Sequence, residues 1–451
     1  MPHAIALPRK LETPFANPGL LNFSTMNIML RYGRFGLPIQ ISDDLDVTAL
    51  HMNPLPPLEN EADEIEKSLI SPIDSQSLSV LARGRESACV VICDVTRPVP
   101  NQKILAPMLQ ILQDSGIPQE KITILNATGL HRPNEGAELE EMIGAEIKEN
   151  FRVVNHDARN RSTHTVIGDV PLGLSDDVAQ VDIDNAYLQS DLKITTGLIE
   201  PHFMAGYSGG RKLVCPGIAS AETIMQFHSP RMIGDPNSRA GNLKENPVHT
   251  MSRAVAGKVG VDFICNVTLD ESRRITGVWS GDLDAAHQSG ISHVDRQSKV
   301  PCEPAAIVIT TVAGYPLDTT LYQAVKGMVG ALPALKPGGT MIIAASLSEG
   351  FGSPEFSEMC LSLESVDQFM DKIMSSPVVI DQWQLQEMMQ VLRKCNVMIV
   401  SDGIAPETLK RCLLTPMVSI DEALKAALKT HGNSAKINVI PEGPYVTPVA
   451  P

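Results

Sequence analysis

The chain has 451 residues, 43% hydrophobic, 20% charged and 4% aromatic, with a formal net charge of −15. That length suits two sizeable cores, and the apolar share excludes a disordered chain. The acidic balance argues against nucleic acid or an anionic membrane surface as partner, since both need clustered Lys and Arg, whereas a small anionic substrate reads only the local field.

Residues 1–24 are punctuated by proline and read as an N-terminal extension or as a strap on a partner subunit in a homo-oligomer. The segment 55–68, PLPPLENEADEIEK, reads as a proline stop followed by an acidic helix start. From residue 88 the chain alternates apolar runs with helical patterns. The runs are ACVVICD (88–94), ITILNAT (122–128), RVVNHD (152–157), DLKITTG (191–197), AIVITTV (306–312), GTMIIAAS (339–346) and NVMIVSDG (396–403). Between the first two, Ile104, Leu105, Met108, Leu109 and Leu112 recur at helical spacing. Continuous apolar strands alternating with helices predict an α/β fold of two domains, each a mostly parallel sheet flanked by helices, with the active site in the cleft between them. The seam is placed in SKVPCEPAA (298–306). This gives a catalytic and cofactor-binding domain over 25–298 and a C-terminal α/β domain over 299–434, with 435–451 a candidate to rejoin the first. None of the eight cysteines forms a CxxC pair, and Cys89 and Cys93 lie inside an apolar run, as buried thiols of a reducing compartment do. With neither a secretory leader nor an apolar window of about 18 residues, the expectation is a cytoplasmic protein.

In parallel sheets ligands bind beyond the carboxyl ends of the strands, and there the first four runs carry their reactive groups. Asp94 and Arg97 follow the first run, His131 the second, His156 and Asp157 the third, and His202 the fourth. His131 and His202 sit beside prolines that stiffen their loops. The alternative for each is a structural hydrogen-bonding histidine, and for Asp94 with Arg97 a mutual salt bridge. His228 ends a helical stretch, where it could simply answer the helix dipole. In LDTTLYQAVKGM (317–328) a helix is expected with Asp318 or Thr319 as cap. Gln323 and Lys326 share one face near its N-terminus, as an anion site or as a solvated face. The stretch GYSGGRKLVCPG (206–217) places Lys212 after Gly209 and Gly210, like a phosphate loop. The pattern is nevertheless wrong, because Arg211 stands where the second Walker glycine belongs and Leu213 where the hydroxyl belongs. From pattern alone Lys212 is a phosphate-binding charge, a Schiff-base nucleophile or another covalent anchor.

Taken together, DVTRPVP (94–100), ATGLHRP (127–133), NHD (155–157), EPHFMAGYSGGRKLVCPG (200–217), a histidine sixteen residues beyond Lys212, and YQAVK (322–326) resemble the nickel-pincer lactate racemase family of 2-hydroxyacid racemases and epimerases. The resemblance runs from about residue 25 to the end. It implies a nickel-pincer nucleotide, a pyridinium mononucleotide holding Ni²⁺ through two sulfurs and a ring carbon and supplied by cofactor-synthesis enzymes. It implies that Lys212 tethers this group through its thioamide, that His228 is the remaining nickel ligand, and that Asp94 with the Gly209–Gly210 backbone holds the nucleotide. His131 and His202 become the two acid/bases, one for each enantiomer, and Arg97, Tyr322, Gln323 and Lys326 orient the substrate. The implied reaction is reversible hydride transfer from C2 to the cofactor ring, with rotation of the resulting 2-keto acid. Arg211 is expected to face solvent or cofactor phosphate; its sharper reading is a substrate more polar than lactate, such as a malate-like or sugar acid. The competing readings are a cofactor-free hydroxyacid-binding protein, a nicotinamide-dependent dehydrogenase, and a zinc hydrolase built on His131, His202 and His228. The dehydrogenase is weakened by the missing GxGxxG and acidic residue, and the hydrolase by the missing HExxH.

Overall fold

The computed structural model describes residues 25–175 and 177–449, so the extension expected over 1–24 lies outside the described residues. Every residue of the strand Ala88–Cys93 is buried, as a strand covered on both faces requires. It lies inside a six-stranded sheet in the order 275–281, 263–269, 192–198, 88–93, 122–127, 152–155. Neighbours are parallel except at Ile275–Gly281, which runs antiparallel to Phe263–Leu269. The second sheet, also six-stranded, is ordered 415–417, 396–400, 335–344, 305–311, 437–440, 47–49. All of its pairs are parallel. The two-domain α/β architecture read from the sequence is the one observed.

The helix Asn101–Asp114 buries Ile104, Leu105, Met108, Leu109 and Leu112, the stripe the periodicity predicts. At about 1.5–3 kcal/mol for each buried side chain, these five outweigh the roughly 3 kcal/mol cost of Pro107 within the helix. The acidic segment becomes the helix Glu61–Ile70, capped by Asn60, which accepts from the Asp63 N–H.

Three details depart from the expected organisation. Val47–Ala49 pairs with Ile437–Ile440 at the edge of the second sheet, and the hairpin Thr25–Leu30/Leu37–Ser42 packs Ile28, Leu30, Ile39 and Ile41 against Ile307, Ile309 and Ile342 of that sheet. The described residues therefore begin against the second sheet, not the first. Of the segment 435–451, Ile437–Ile440 joins Ala305–Thr311 in the second sheet, while Thr447–Val449 pairs with Lys299–Pro301 in a separate two-stranded sheet. Thirdly, the helix Leu321–Ala331 is capped by Thr320, whose hydroxyl accepts from the Gln323 N–H. Asp318 instead accepts from the Gly33 and Ser346 N–H groups.

Each sheet changes winding direction at a central strand, and that is where a crevice opens at the carboxyl ends. In the first sheet this falls between 88–93 and 192–198; in the second it falls between 305–311 and 437–440, close to the start of the Leu321–Ala331 helix.

Candidate active site

Three adjacent strands of the first sheet deliver the reactive groups: 192–198 leads to Glu200 and His202, 88–93 to Asp94 and Arg97, and 122–127 to His131. The two histidine strands thus flank the one carrying Asp94. The Leu321–Ala331 helix contributes Tyr322 and Lys326 from the other sheet. All of these but Glu200 line one slot of about 160 Å³, together with Gly209, Lys212, His228 and Trp383. Gln323 lies beyond it, on the wall of a cavity of about 550 Å³ that also meets Asp94, His131 and Tyr322.

The two histidines carry their protons on different atoms. His131 Nδ1 lies 2.6 Å from Asp94 Oδ2, so it donates there and leaves the Nε2 lone pair free. Burial opposes the charge of Asp94, but His131, Thr96 and Arg97 overcome it and hold the carboxyl below its ordinary range. His202 is held the other way. Its Nδ1 accepts from the Met204 and Ala205 N–H groups at 3.3 and 3.2 Å, so the ring proton sits on Nε2. That atom is 3.0 Å from Lys212 Nζ, and Nε2–H can donate there only to an unprotonated amine. The electrostatics agree: burial, then the Arg97 charge, lower the lysine to about 7, and burial followed by Lys212 and Arg97 hold His202 well below the usual histidine range.

His228 caps the Ala221–Phe227 helix. Its Nδ1 donates to the Ile224 carbonyl at 2.9 Å, which leaves the Nε2 lone pair free. Burial, opposed by that carbonyl and joined by Lys212, lowers it to about 3, so the ring is neutral and could ligate a metal. Trp383 stacks on it at 4.4 Å and 19° and donates from Nε1 to the Tyr322 hydroxyl at 2.9 Å. The helix-dipole alternative for His228 accounts for neither the free Nε2 nor this stack.

Arg97 does not pair with Asp94. Its Nε meets Glu200 Oε1 at 2.8 Å, both side chains being largely buried. Burial raises the Glu200 pKa against the pull of Arg97, Lys326 and Lys212. Burial, and then Arg97, press Lys326 well below the usual lysine range, and no carboxylate lies within 4.0 Å of its amine among the described residues. Gln323 is also buried, with Oε1 lacking a partner. Neither residue is on a solvated face.

The glycines divide. Gly209 lines the slot with φ +79 and ψ −177, a conformation closed to other residues. Gly210 turns away: its N–H goes to Asn266 Oδ1 at 3.2 Å, and a Cβ there would meet the His287 ring at 3.1 Å. Arg211 also points elsewhere, to Asp284 at 3.1 Å and His249 at 3.2 Å, so it reaches neither solvent nor the slot. His156 is structural, donating to Asp184 and to the Ala219 carbonyl, both at 2.9 Å. Glu200 and Trp383 escaped sequence reasoning, although Glu200 adjoins Pro201–His202 and Trp383 is one of only two tryptophans.

Among the described residues the clusters of three metal-ligating side chains are His156–His164–Asp184 and His51–Glu271–Glu442. His131, His202 and His228 therefore do not converge on one ion, which removes the zinc hydrolase. No described helix is long and apolar enough to cross a membrane, and all eight cysteines are buried and free.

A partly buried amine whose charge is disfavoured, a free imidazole nitrogen and two differently protonated histidines around one slot mark a two-domain α/β protein with an enzyme-like site. The chain matches the lactate racemase N-terminal domain over residues 32–241 and the lactate racemase C-terminal domain over 300–447. It is 37% identical over 425 residues to the lactate racemase of Lactiplantibacillus plantarum, covering 92% of this chain and 98% of the relative. To that of Thermoanaerobacterium thermosaccharolyticum it is 35% identical over 422 residues, with the same coverage. The solved lactate racemase apoprotein of the latter organism superposes with a TM-score of 0.86 at 34% identity, covering 94% of this chain and all of that one. A Thermotoga maritima protein shares the fold alone, at TM-score 0.67 and 17% identity. This chain belongs to the lactate racemase family and is an isomerase.

Proposed function

We propose that the protein interconverts the C2 stereoisomers of a 2-hydroxyacid, using a nickel-pincer nucleotide. The observation that carries this is the shared slot: Lys212 and His228 supply the donor set the cofactor needs, with His131 and His202 facing the same space. The neutral amine of Lys212 is the nucleophile a covalent tether requires, and the lone pair on His228 Nε2 suits Ni²⁺. Asp94 and Gly209 would contact the nucleotide; Gly210 contributes through the loop conformation. When bound, the group supplies a reversible two-electron acceptor for the hydrogen at C2.

The remaining work falls to the protein. Arg97, paired with Glu200, and Lys326, whose charge a bound carboxylate would favour, lie where the substrate carboxylate would be held. A lactate-like acid or a larger hydroxyacid such as a sugar acid fits this reading, and the turned-away Arg211 removes the ground for a more anionic substrate. Gln323, with its unpartnered Oε1, and Tyr322 orient the rest of the molecule. His131 receives the hydroxyl proton at Nε2, its charge steadied by Asp94. His202 presents Nε2 from the opposite wall. Cycling its proton requires Nδ1 to become a donor, so the Met204 and Ala205 amides must withdraw, and consumption of the Lys212 amine frees Nε2 to face the substrate. Trp383 and the apolar walls exclude water while C2 is planar.

The test is to co-produce the protein with cofactor-synthesis enzymes, measure intact mass and nickel, and assay a panel of chiral 2-hydroxyacids. Lys212→Ala should abolish the mass increment. An undiminished increment would place the tether elsewhere, and a loaded protein inactive on every acid would overturn the proposal.

A further inference from the structure

We propose that His51, Glu271 and Glu442 form a second divalent-cation site, remote from the slot, that ties the first sheet to the second. His51 lies just beyond the strand Val47–Ala49 and Glu442 just beyond Ile437–Ile440, and these strands are hydrogen-bonded neighbours. Glu271 comes from the turn joining Phe263–Leu269 to Ile275–Gly281 in the first sheet. One ligating atom from each of the three lies within 4.8 Å of the others.

The second observation is a half-satisfied carboxylate. The Glu442 side chain is only 5% exposed. Its Oε1 takes the proton of His51 Nδ1 at 2.8 Å, but its Oε2 is buried without a partner. Leaving such an oxygen bare is costly, and native folds seldom do so without a role for it. No Lys or Arg lies within 4.0 Å of either the Glu271 or the Glu442 carboxylate among the described residues. Arg31 spends its guanidinium on the Glu271 backbone carbonyl at 2.8 Å, and Arg273 reaches the Tyr315 carbonyl. Two carboxylates therefore share one imidazole. Burial raises the Glu442 pKa, opposed by His51 and reinforced by Glu271, as expected of negative charge that lacks a cation.

The donor set indicates the class of ion. One imidazole and two carboxylates suit an octahedral ion such as Mn²⁺. The remaining positions would hold water from the adjoining cavity of about 380 Å³, which both glutamates line. On binding, His51 exchanges its Nδ1 proton for one on the solvent-facing Nε2, remaining a neutral imidazole, and Glu442 exchanges that hydrogen bond for the metal.

The test uses the full-length protein, chelator-treated and free of cofactor, titrated with Mn²⁺ and followed by the paramagnetic signal of the free ion. One Mn²⁺ should bind per chain, with His51→Ala and Glu271→Gln each weakening it by at least about tenfold. His228→Ala, which removes the candidate nickel ligand, should leave it unchanged. Mn²⁺ should also raise the thermal midpoint of the wild type but of neither weakened variant. Wild-type affinity in both His51→Ala and Glu271→Gln, or no binding by the parent chain at millimolar Mn²⁺, overturns the proposal. Neither readout uses racemase activity, so the failure of one proposal leaves the other standing.

Discussion

Replacing Lys212 by Met in the cofactor-free protein should alter stability in a way that reverses with pH. An ordinary lysine titrates at 10.5, and in the folded chain this one titrates at about 7. Between those values the unfolded chain binds the extra proton, so the wild type gains stability as pH rises through the window and carries its full penalty below pH 7. The difference, 10.5 minus about 7, spans about 3.5 decades, or at most about 4.8 kcal/mol at roughly 1.4 kcal/mol per decade. Lys212 is only partly buried, and solvent screening brings the figure to roughly 2 kcal/mol. Against this, Met loses the contact with His202, worth about 1 kcal/mol where the amine is unprotonated. Lys212→Met should therefore be about 1 kcal/mol more stable than the wild type at pH 7 and about 1 kcal/mol less stable near pH 10. Urea denaturation of both proteins at pH 7, 8.5 and 10 reads this directly. A stability difference that stays constant across the series refutes the neutral-amine assignment, and with it the tautomer deduced for His202.

In the loaded enzyme, His131→Ala and His202→Ala should each lower turnover by about 10²–10⁴ while nickel content is retained, and near-normal turnover in either variant would exclude the two-base scheme. Asp94→Asn should reduce kcat by a similar factor, about 10²–10⁴, with little change in KM, because an amide can present N–H to His131 and turn its proton to the wrong nitrogen. Lys326→Met should raise KM roughly 10- to 100-fold through the loss of a charged hydrogen bond to the carboxylate, and an unchanged KM would remove Lys326 from substrate binding. Trp383→Ala should leave the Lys212 mass increment intact but hasten nickel loss to a chelator, since the stack that fixes the His228 ring is gone; an unchanged loss rate would confine Trp383 to packing.

The central strands were legible because a parallel strand covered on both faces writes itself as a continuous apolar run. ACVVIC and ITILNA needed no partner to be recognised. The peripheral strands carry no such signal. Val47–Ala49 has three residues and is a strand only because Ile437–Ile440 lies alongside, a pairing that no local pattern encodes. The same limit applied at the site. His131, His202 and Lys212 announced themselves by sitting next to prolines or glycines at strand ends, but the partner of Arg97 depended on which carboxylate the fold brings within reach. Asp94, three residues away, was the local candidate, and Glu200, from the neighbouring strand, is the observed one. Gly209 and Gly210 look interchangeable in the sequence, and only the backbone separates a residue facing the slot from one facing Asn266. The cap of the Leu321–Ala331 helix was misplaced by a residue or two for a related reason, since Asp318 is taken by the Gly33 and Ser346 amides.

His131, Asp94, Arg97 and His202 all issue from one sheet, whereas Tyr322, Gln323 and Lys326 ride on the other. A change in the angle between the sheets therefore leaves the spacing of the proton-handling pair untouched and alters the grip on the guest molecule, along with the Trp383 stack on His228. Release of product need not disturb the alignment that the next round of chemistry depends on.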